Sequence, residues 1–166
     1  MKYYIMGDGS YLGIIDVNTY KCHVGPNWAN NPKLLEPHFV EQMQEYSGLF
    51  WDTNLETSWL VEVQTEKIDI SGFREVSGSI KVTDGKLALL NYDSLTMLAQ
   101  FEYQTIEEHI KDNFFDLENG NYQIRIVQLF DPKTYFPNGV STDFVIDIQS
   151  IDVLLPPWNT VPWSKL

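Results

Sequence analysis

The fold of this chain is decided by one stretch, Ile80-Lys81-Val82-Thr83-Asp84-Gly85-Lys86-Leu87-Ala88-Leu89-Leu90. Two runs rich in apolar residues flank the dipeptide Asp84-Gly85, and Asp-Gly readily adopts the positive φ angles that a tight β-turn needs. The pattern predicts two antiparallel strands joined as a β-hairpin. It is the strongest local signal in the sequence, and it places the chain among β-rich proteins.

Strand patterns continue on both sides of this stretch. Apolar and polar side chains alternate with the period of two that is typical of a half-buried strand in residues 58–64, 122–130 and 144–149. Nearer the N-terminus, residues 3–6 and 11–17 flank the turn sequence Gly7-Asp8-Gly9-Ser10, which predicts a second hairpin.

Two segments favour helix instead. Pro37 suits a first helical position, apolar residues recur at helical spacing up to Ser47, and Gly48 follows as a cap. Thr105 with Glu108 three residues later has the pattern of a capping box. The predicted fold is therefore mainly β, an antiparallel β-sandwich or curved sheet with one or two short helices. The alternative is an α+β domain whose helices cover one sheet face.

The length of 166 residues fits one domain, and the sequence contains no repeat or linker, so residues 1–166 are predicted to form a single globular domain. The segment 151–166 is rich in proline and tryptophan. It carries too much apolar surface to stay exposed in a soluble monomer. We expect it to pack on the domain body, with Trp158 or Trp163 at least partly buried.

The chain is acidic, with 23 Asp and Glu against 11 Lys and Arg and a formal net charge of -12. Proteins that bind nucleic acid or anionic membranes neutralise phosphates with Lys and Arg. This sequence has no basic run, so its charge argues against both classes and allows a basic partner protein. A single cysteine, Cys22, and the lack of a signal-peptide pattern or long apolar run predict a cytoplasmic protein.

The sequence contains no recognised catalytic or metal-binding motif. Cys22 and His23 are neighbours, but adjacent residues of a strand point to opposite faces, so neither a zinc site nor a catalytic pair is predicted. The sequence predicts no cofactor. An enzyme with an unrecognised carboxylate pair stays open as an alternative function, because 23 acidic residues offer many such pairs.

Six acidic residues crowd the segment between Glu102 and Glu118, where Lys111 is the only Lys or Arg. One interpretation is a solvated surface. The other is an acidic face that meets a basic partner, with aromatic side chains as apolar anchors. The candidate binding residues are Glu102, Tyr103, Glu107, Glu108, Asp112, Phe115 and Asp116.

Tryptophan offers a second binding hypothesis. Trp28 and Trp51 flank predicted loops, where binding residues concentrate, and flat rings stack on the apolar faces of sugars. A small-ligand or carbohydrate-binding module is therefore an alternative function.

Three segments follow one another in the second half of the chain: residues 78–87, 118–126 and 143–149. Their order resembles small acidic bacterial proteins of the competence-protein-J type and is similar to several toxin-immunity proteins. The resemblance implies a β-sandwich that inhibits a partner nuclease, and it supplies no catalytic residues. We therefore predict a non-catalytic binding protein, immunity-like, that inhibits a basic partner such as a nuclease toxin. The sequence does not determine the oligomeric state.

Overall fold

A computed structural model describes residues 1–26 and 34–165, and within them it contains nine strands and three helices. Strands hold 35% of the residues and helices 16%, so the mainly β prediction is confirmed. The elements are β1 (Lys2–Ile5), β2 (Tyr11–Asp16), α1 (Leu35–Gln44), β3 (Gly48–Asp52), β4 (Trp59–Gln64), β5 (Arg74–Val82), β6 (Lys86–Asn91), α2 (Tyr92–Gln100), α3 (Ile106–Ile110), β7 (Phe114–Asp116), β8 (Gly120–Gln128) and β9 (Phe144–Ser150).

The strands form two open sheets. One has five strands in the order β1-β4-β9-β8-β5, and the other has four in the order β3-β2-β6-β7. Neighbouring strands are antiparallel except for β4 and β9, which run parallel with Val61 opposite Phe144. The antiparallel prediction therefore holds for both sheets apart from this one pair.

The sheets and helices stack in three layers. The ring of Trp51 on β3 lies 6.2 Å from that of Phe144 on β9, so these strands face each other across the space between the sheets. On the opposite side of β3, Phe50 stacks on Phe39 of α1 with ring centroids 4.2 Å apart. The helices α2 and α3 pack against β6. The described residues form three helices, whereas the sequence predicts one or two. All three contact the four-stranded sheet, as in the alternative α+β arrangement.

The structure corrects the interpretation of Trp51. This residue lies inside β3, and its side chain is fully buried between the two sheets. A ring without exposed surface cannot stack on a sugar, so its assignment as a ligand-binding residue is wrong. Trp28 lies outside the described residues.

Both predicted hairpins are wrong, because in each case the two strands enter different sheets. The turn at Asp84-Gly85 is present, with Gly85 at a φ of 68°. The N–H of Thr83, which would bond to Lys86 in a two-residue hairpin, donates instead to the carboxylate of Asp16 (3.1 Å). The main-chain groups of Gly85 are also bonded to residues far along the chain. Gly85 donates its N–H to the side-chain oxygen of Asn119 (2.7 Å) and accepts at its carbonyl from the N–H of Leu117 (3.0 Å). The turn therefore carries the chain from one sheet to the other.

The helix predictions agree with the structure more closely than the hairpin predictions do. The helix predicted from Pro37 to Ser47 is found as α1, which begins two residues earlier at Leu35. The left-handed residue after it is Tyr46, with a φ of 59°, while Gly48 already opens β3. The capping box of Thr105 and Glu108 is present in α3. The helix α2 was not predicted.

Asp16, the last residue of β2, joins the two sheets. Its side chain is fully buried. Its carboxylate accepts hydrogen bonds from the N–H and hydroxyl of Thr19 (3.2 and 2.6 Å) and from the N–H and hydroxyl of Thr83 (3.1 and 2.5 Å). Thr83 directly follows β5 of the other sheet, so one carboxylate fixes the end of β2 against the end of β5.

The tail, residues 151–165, lies across one side of the sandwich. The indole N–H of Trp158 donates to the carbonyl of Ser77 on β5 (2.9 Å), and the N–H of Asp52 on β3 donates to the carbonyl of Pro162 (3.1 Å). Val161 is buried at 5% exposure between these contacts. The tail thus covers the outer strands of both sheets, β3 and β5, on the same side.

A buried histidine in α1 predicts a pH dependence of stability. The side chain of His38 is 7% exposed, and its Nε2 lies 3.5 Å from the hydroxyl of Tyr20. Burial lowers the pKa of His38, although the nearby Glu41 raises it to a smaller extent. Because the folded pKa is the lower one, the unfolded chain takes up the proton first. The stabilisation is therefore complete above the unfolded pKa of about 6.5 and is lost as the pH falls through the folded pKa.

We expect the free energy of unfolding of the H38Q variant to fall less than that of the wild type between about pH 7.5 and pH 5.5. Denaturant unfolding at a series of pH values measures this slope. The matched control is H23Q, which removes an exposed imidazole in place of the buried one. Equal slopes for H38Q and the wild type would contradict the assignment.

Candidate functional site

The acidic segment, residues 102–118, connects α2 to β8 through α3 and β7. Glu102, Tyr103 and Glu107 are all exposed, and the side chain of Tyr103 reaches 72% exposure. The Tyr103 ring lies 5.5 Å from that of Phe101, which gives it a neighbour to pack on. The segment therefore offers to solvent an aromatic ring and, next to it in the chain, the carboxylate of Glu102.

Glu108 has a structural contact as well as an exposed side chain. Its carboxylate accepts a hydrogen bond from the N–H of Thr105 at 3.1 Å and so completes the capping box of α3. Two acidic residues in the first turn, Glu107 and Glu108, also favour a helix N-terminus electrostatically. Glu108 therefore holds α3 in shape in addition to any role in binding.

At the end of the segment, the structure separates the predicted residues. Asp112 and Asp116 are exposed, and Asp116 ends β7. Phe115 is 2% exposed and packs on Tyr3 at a ring distance of 6.2 Å, so its assignment as an exposed anchor is wrong. The reason is strand alternation: the inward position on this three-residue strand belongs to Phe115.

The strand β7 is the outer strand of the four-stranded sheet, and β1 is an outer strand of the five-stranded sheet. The two lie on the same side of the sandwich, since the hydroxyl of Tyr3 on β1 donates to the carbonyl of Phe114 on β7 (3.1 Å). The tail covers the outer strands β3 and β5 on the other side. The acidic segment therefore ends at the side of the sandwich that the tail leaves open.

Exposed apolar side chains outside the acidic segment were missed by the sequence analysis. Tyr4 on β1 and Met6 directly after it are 54% and 66% exposed, and Phe136 and Val140 in the loop before β9 are 86% and 81% exposed. For Tyr4 a signal existed, because Tyr3 and Ile5 on either side of it are buried and residues alternate along a strand. For the loop residues the sequence carries no comparable period.

Two carboxylates converge at one place on the five-stranded sheet. Arg125 donates to the carboxylates of Glu75 (2.6 Å) and Asp147 (2.9 Å), and it also donates to the carbonyls of Ile68 (3.1 Å) and Ile70 (2.7 Å). The hydrogen bond from Arg125 lowers the pKa of Glu75. A carboxylate held ionised by a guanidinium is a poor general acid at neutral pH. These contacts favour a structural role, in which Arg125 holds residues 68–70, the segment before β5, on the sheet.

Asp143 is a buried carboxyl with a raised pKa. Burial raises the pKa, while hydrogen bonds from the Leu60 N–H (2.8 Å) and the Tyr135 hydroxyl (2.7 Å) oppose that shift. Both oxygens are thus engaged in holding the loop before β9 against β4. This geometry supports a structural role for Asp143.

Within the described ranges, no group of three or more His, Cys, Asp and Glu side chains is placed to hold a metal ion. The same ranges contain no helix that is both long and apolar enough to span a bilayer.

Comparison with known proteins bears on the fold. No protein-family model and no curated protein matches the chain. Among solved structures, one described as crocagin biosynthetic gene J is similar with a TM-score of 0.57 and 12% identity, covering 90% of this chain and 94% of its own. ComJ from Bacillus subtilis, described as an inhibitor of the DNA degrading activity of NucA, is similar with a TM-score of 0.50 and 12% identity, covering 91% of this chain and 96% of its own. The likeness to a protein of the competence-protein-J type therefore spans most of the chain, well beyond its second half, as a likeness of fold.

Proposed function

We propose that this chain is a non-catalytic inhibitor that binds a basic partner protein, such as a nuclease toxin, through the acidic segment. The observation that carries the proposal is the exposure of Glu102, Glu107, Asp112 and Asp116 in the same segment as the exposed ring of Tyr103. A segment that combines exposed carboxylates with an exposed aromatic side chain suits a protein interface, where the ring anchors and the charges select the partner.

The fold supports this proposal from a second direction. ComJ shares the architecture and is described as the inhibitor of a DNA-degrading protein. Nucleases that bind DNA need cationic surfaces for the phosphates. An acidic protein with a net charge of -12 is electrostatically suited to cover such a surface.

Charge reversal of the acidic segment tests the electrostatic part. We expect the triple variant E102K/E107K/D112K to associate with the partner at least about tenfold more slowly than the wild type at low salt, because steering by opposite charges sets the association rate. The difference should shrink at about 0.5 M salt, where charges are screened within a few ångströms. Glu108 is left in place because it caps α3. Surface plasmon resonance over a salt series measures the rates.

The matched control is E66K/D69K/D152K, which makes the same change in net charge at exposed positions outside the acidic segment. If the association rate falls equally in both triple variants, the total charge causes the fall and the acidic segment is not the interface. Thermal unfolding of each variant verifies that the fold is retained.

The partner itself is obtained by capture on the immobilised wild-type chain from a lysate of the source cell at low and high salt. The expected result is a basic protein released by salt, whose DNA-degrading activity falls in proportion to added chain. A captured nuclease that stays fully active with the chain in excess would contradict inhibition.

A further inference from the structure

We infer that the open edge of β7 is a docking site for an extended, Lys- or Arg-containing segment of the basic partner, which adds to the four-stranded sheet as a fifth strand. This inference rests on the proposed function and gives it a mode of binding. Strand addition takes affinity from main-chain hydrogen bonds and specificity from the alternate side chains.

The hydrogen-bond register leaves β7 ready for such pairing. The N–H of Leu89 donates to the carbonyl of Asn113 (2.7 Å), and the N–H of Leu117 donates to the carbonyl of Gly85 (3.0 Å). In an antiparallel pair, every second residue bonds to the neighbouring strand. Residues 113, 115 and 117 therefore face β6, while the main-chain groups of Phe114 and Asp116 point away from it. The Phe114 carbonyl already accepts from the Tyr3 hydroxyl (3.1 Å), so an added strand would use the Phe114 N–H and the N–H and carbonyl of Asp116.

The charges around β7 select a cationic strand. Asp116 is exposed on β7 itself, Asp112 precedes the strand by two residues, and Glu118 follows it by two residues, also exposed. Two cations lie close by: Lys111 precedes Asp112 and is exposed, and the ammonium of Lys86 sits over the ring of Phe114 at 4.5 Å. Three carboxylates against these two lysines leave the edge acidic, so an incoming strand with Lys or Arg at alternate positions gains attraction on both sides of Phe114.

The other outer strands are less suitable for a cationic strand. The tail already covers β3 and β5. The edge of β1 is open, but it carries Lys2, which pairs with Glu62 at 3.6 Å, and its exposed residue Tyr4 is uncharged. Charge complementarity therefore places the partner's strand at β7, with β1 as the natural comparison.

The test uses a phage-displayed library of random peptides about a dozen residues long, which exceeds the usual strand length. The expected result is enrichment on the wild-type chain of peptides in which Lys or Arg alternates with β-branched or aromatic residues. Their affinity for the D116P variant should be at least about tenfold weaker, because proline removes the outward N–H of Asp116. D116P keeps the ladder to β6, since proline is tolerated where the N–H faces solvent.

Two controls separate charge from pairing. D116N keeps the N–H and loses the charge, so it should weaken binding less than D116P. Y4P places proline on the open edge of β1, where Tyr4 faces away from β4, and should leave binding unchanged. In addition, backbone amide exchange of the wild type should slow at Asp116 when a selected peptide binds. This measurement decides the question if D116P does not fold.

The possible failures are distinguishable. Docking at β7 is overturned if peptides lose affinity for Y4P but not for D116P. It is also overturned if amide exchange at Asp116 is unchanged by a bound peptide, or if no peptide is enriched. If selected peptides instead bind D116P normally and lose affinity for E102K/E107K/D112K, the acidic face of the proposed function stands while strand addition fails. If selected peptides no longer bind D116P but bind E102K/E107K/D112K as tightly as the wild type, docking at the edge of β7 stands and the electrostatic part of the proposed function fails.

Discussion

The variant D16A is expected to lower the free energy of unfolding by about 3–5 kcal/mol, the range typical of removing one partner from a buried charged network. The Asp16 carboxylate accepts four hydrogen bonds, two from Thr19 and two from Thr83. Alanine would leave all four donors without an acceptor, and an unpaired buried donor loses the water it would bind when unfolded. The loss also uncouples the end of β2 from the end of β5. Urea unfolding followed by tryptophan fluorescence measures the change in the free energy of unfolding.

A matched control for Asp16 lies on the same turn. D84A removes an exposed carboxylate next to Thr83 and is expected to change stability by no more than about 0.5 kcal/mol. D16N is expected to fall between the two, because its amide keeps one acceptor oxygen and adds donors where donors already point. If D16A lowers the free energy of unfolding by less than about 1 kcal/mol, water replaces the carboxylate with little loss of stability.

Removal of residues 151–166 is the second large change, with an expected loss of about 3–5 kcal/mol and a fall in the melting temperature on the order of 10 °C. Val161 is buried, and the half-buried ring of Trp158 packs so closely on Gly78 that an added methyl group there would lie 2.7 Å from the ring. The Arg74 guanidinium also lies 4.2 Å from the Trp163 ring. Differential scanning calorimetry of the shortened chain measures the effect.

Shortening should also change the state of association, because it uncovers the outer strands β3 and β5, and uncovered strand edges pair with other chains. Sedimentation velocity is expected to show larger species only for the shortened chain. V153A serves as the control, since Val153 is 80% exposed and its side chain should contribute little. A shortened chain that melts and sediments like the wild type would mean that the tail contacts add no stability.

The sequence predicts strands better than it predicts their partners. The alternation in residues 58–64 reports burial directly, and the structure has Trp59, Val61 and Val63 buried there. Pairing depends on groups far away in the chain. At the Asp84-Gly85 turn the local pattern is that of a hairpin, but Asp16 and Asn119 take the hydrogen bonds of this turn. No local pattern contains that information.

The candidate site shows the same limit. Acidity and exposure at Glu102 and Glu107 follow from composition, because carboxylates without basic neighbours stay in water. Which phenylalanine of β7 faces inward depends on the register with β6, so Phe115 was misassigned. The helix α2 was missed although Asn91 caps it by accepting from the N–H of Ser94 (2.8 Å). Asn is also common in turns, so the local signal did not by itself indicate a helix.

The position of β9 has a consequence for biosynthesis. This strand lies between β4 and β8, yet it is the last of the nine strands to leave the ribosome. Until residue 150 has been translated, the ribbon of β1 with β4 and the ribbon of β5 with β8 share no neighbouring strand. At about 5–20 residues per second, the interval from β4 to the end of β9 lasts on the order of 4–17 s. The apolar side chains of β4 stay without their final partner for that time. A nascent chain with this strand order therefore depends on late, long-range pairing to complete its five-stranded sheet.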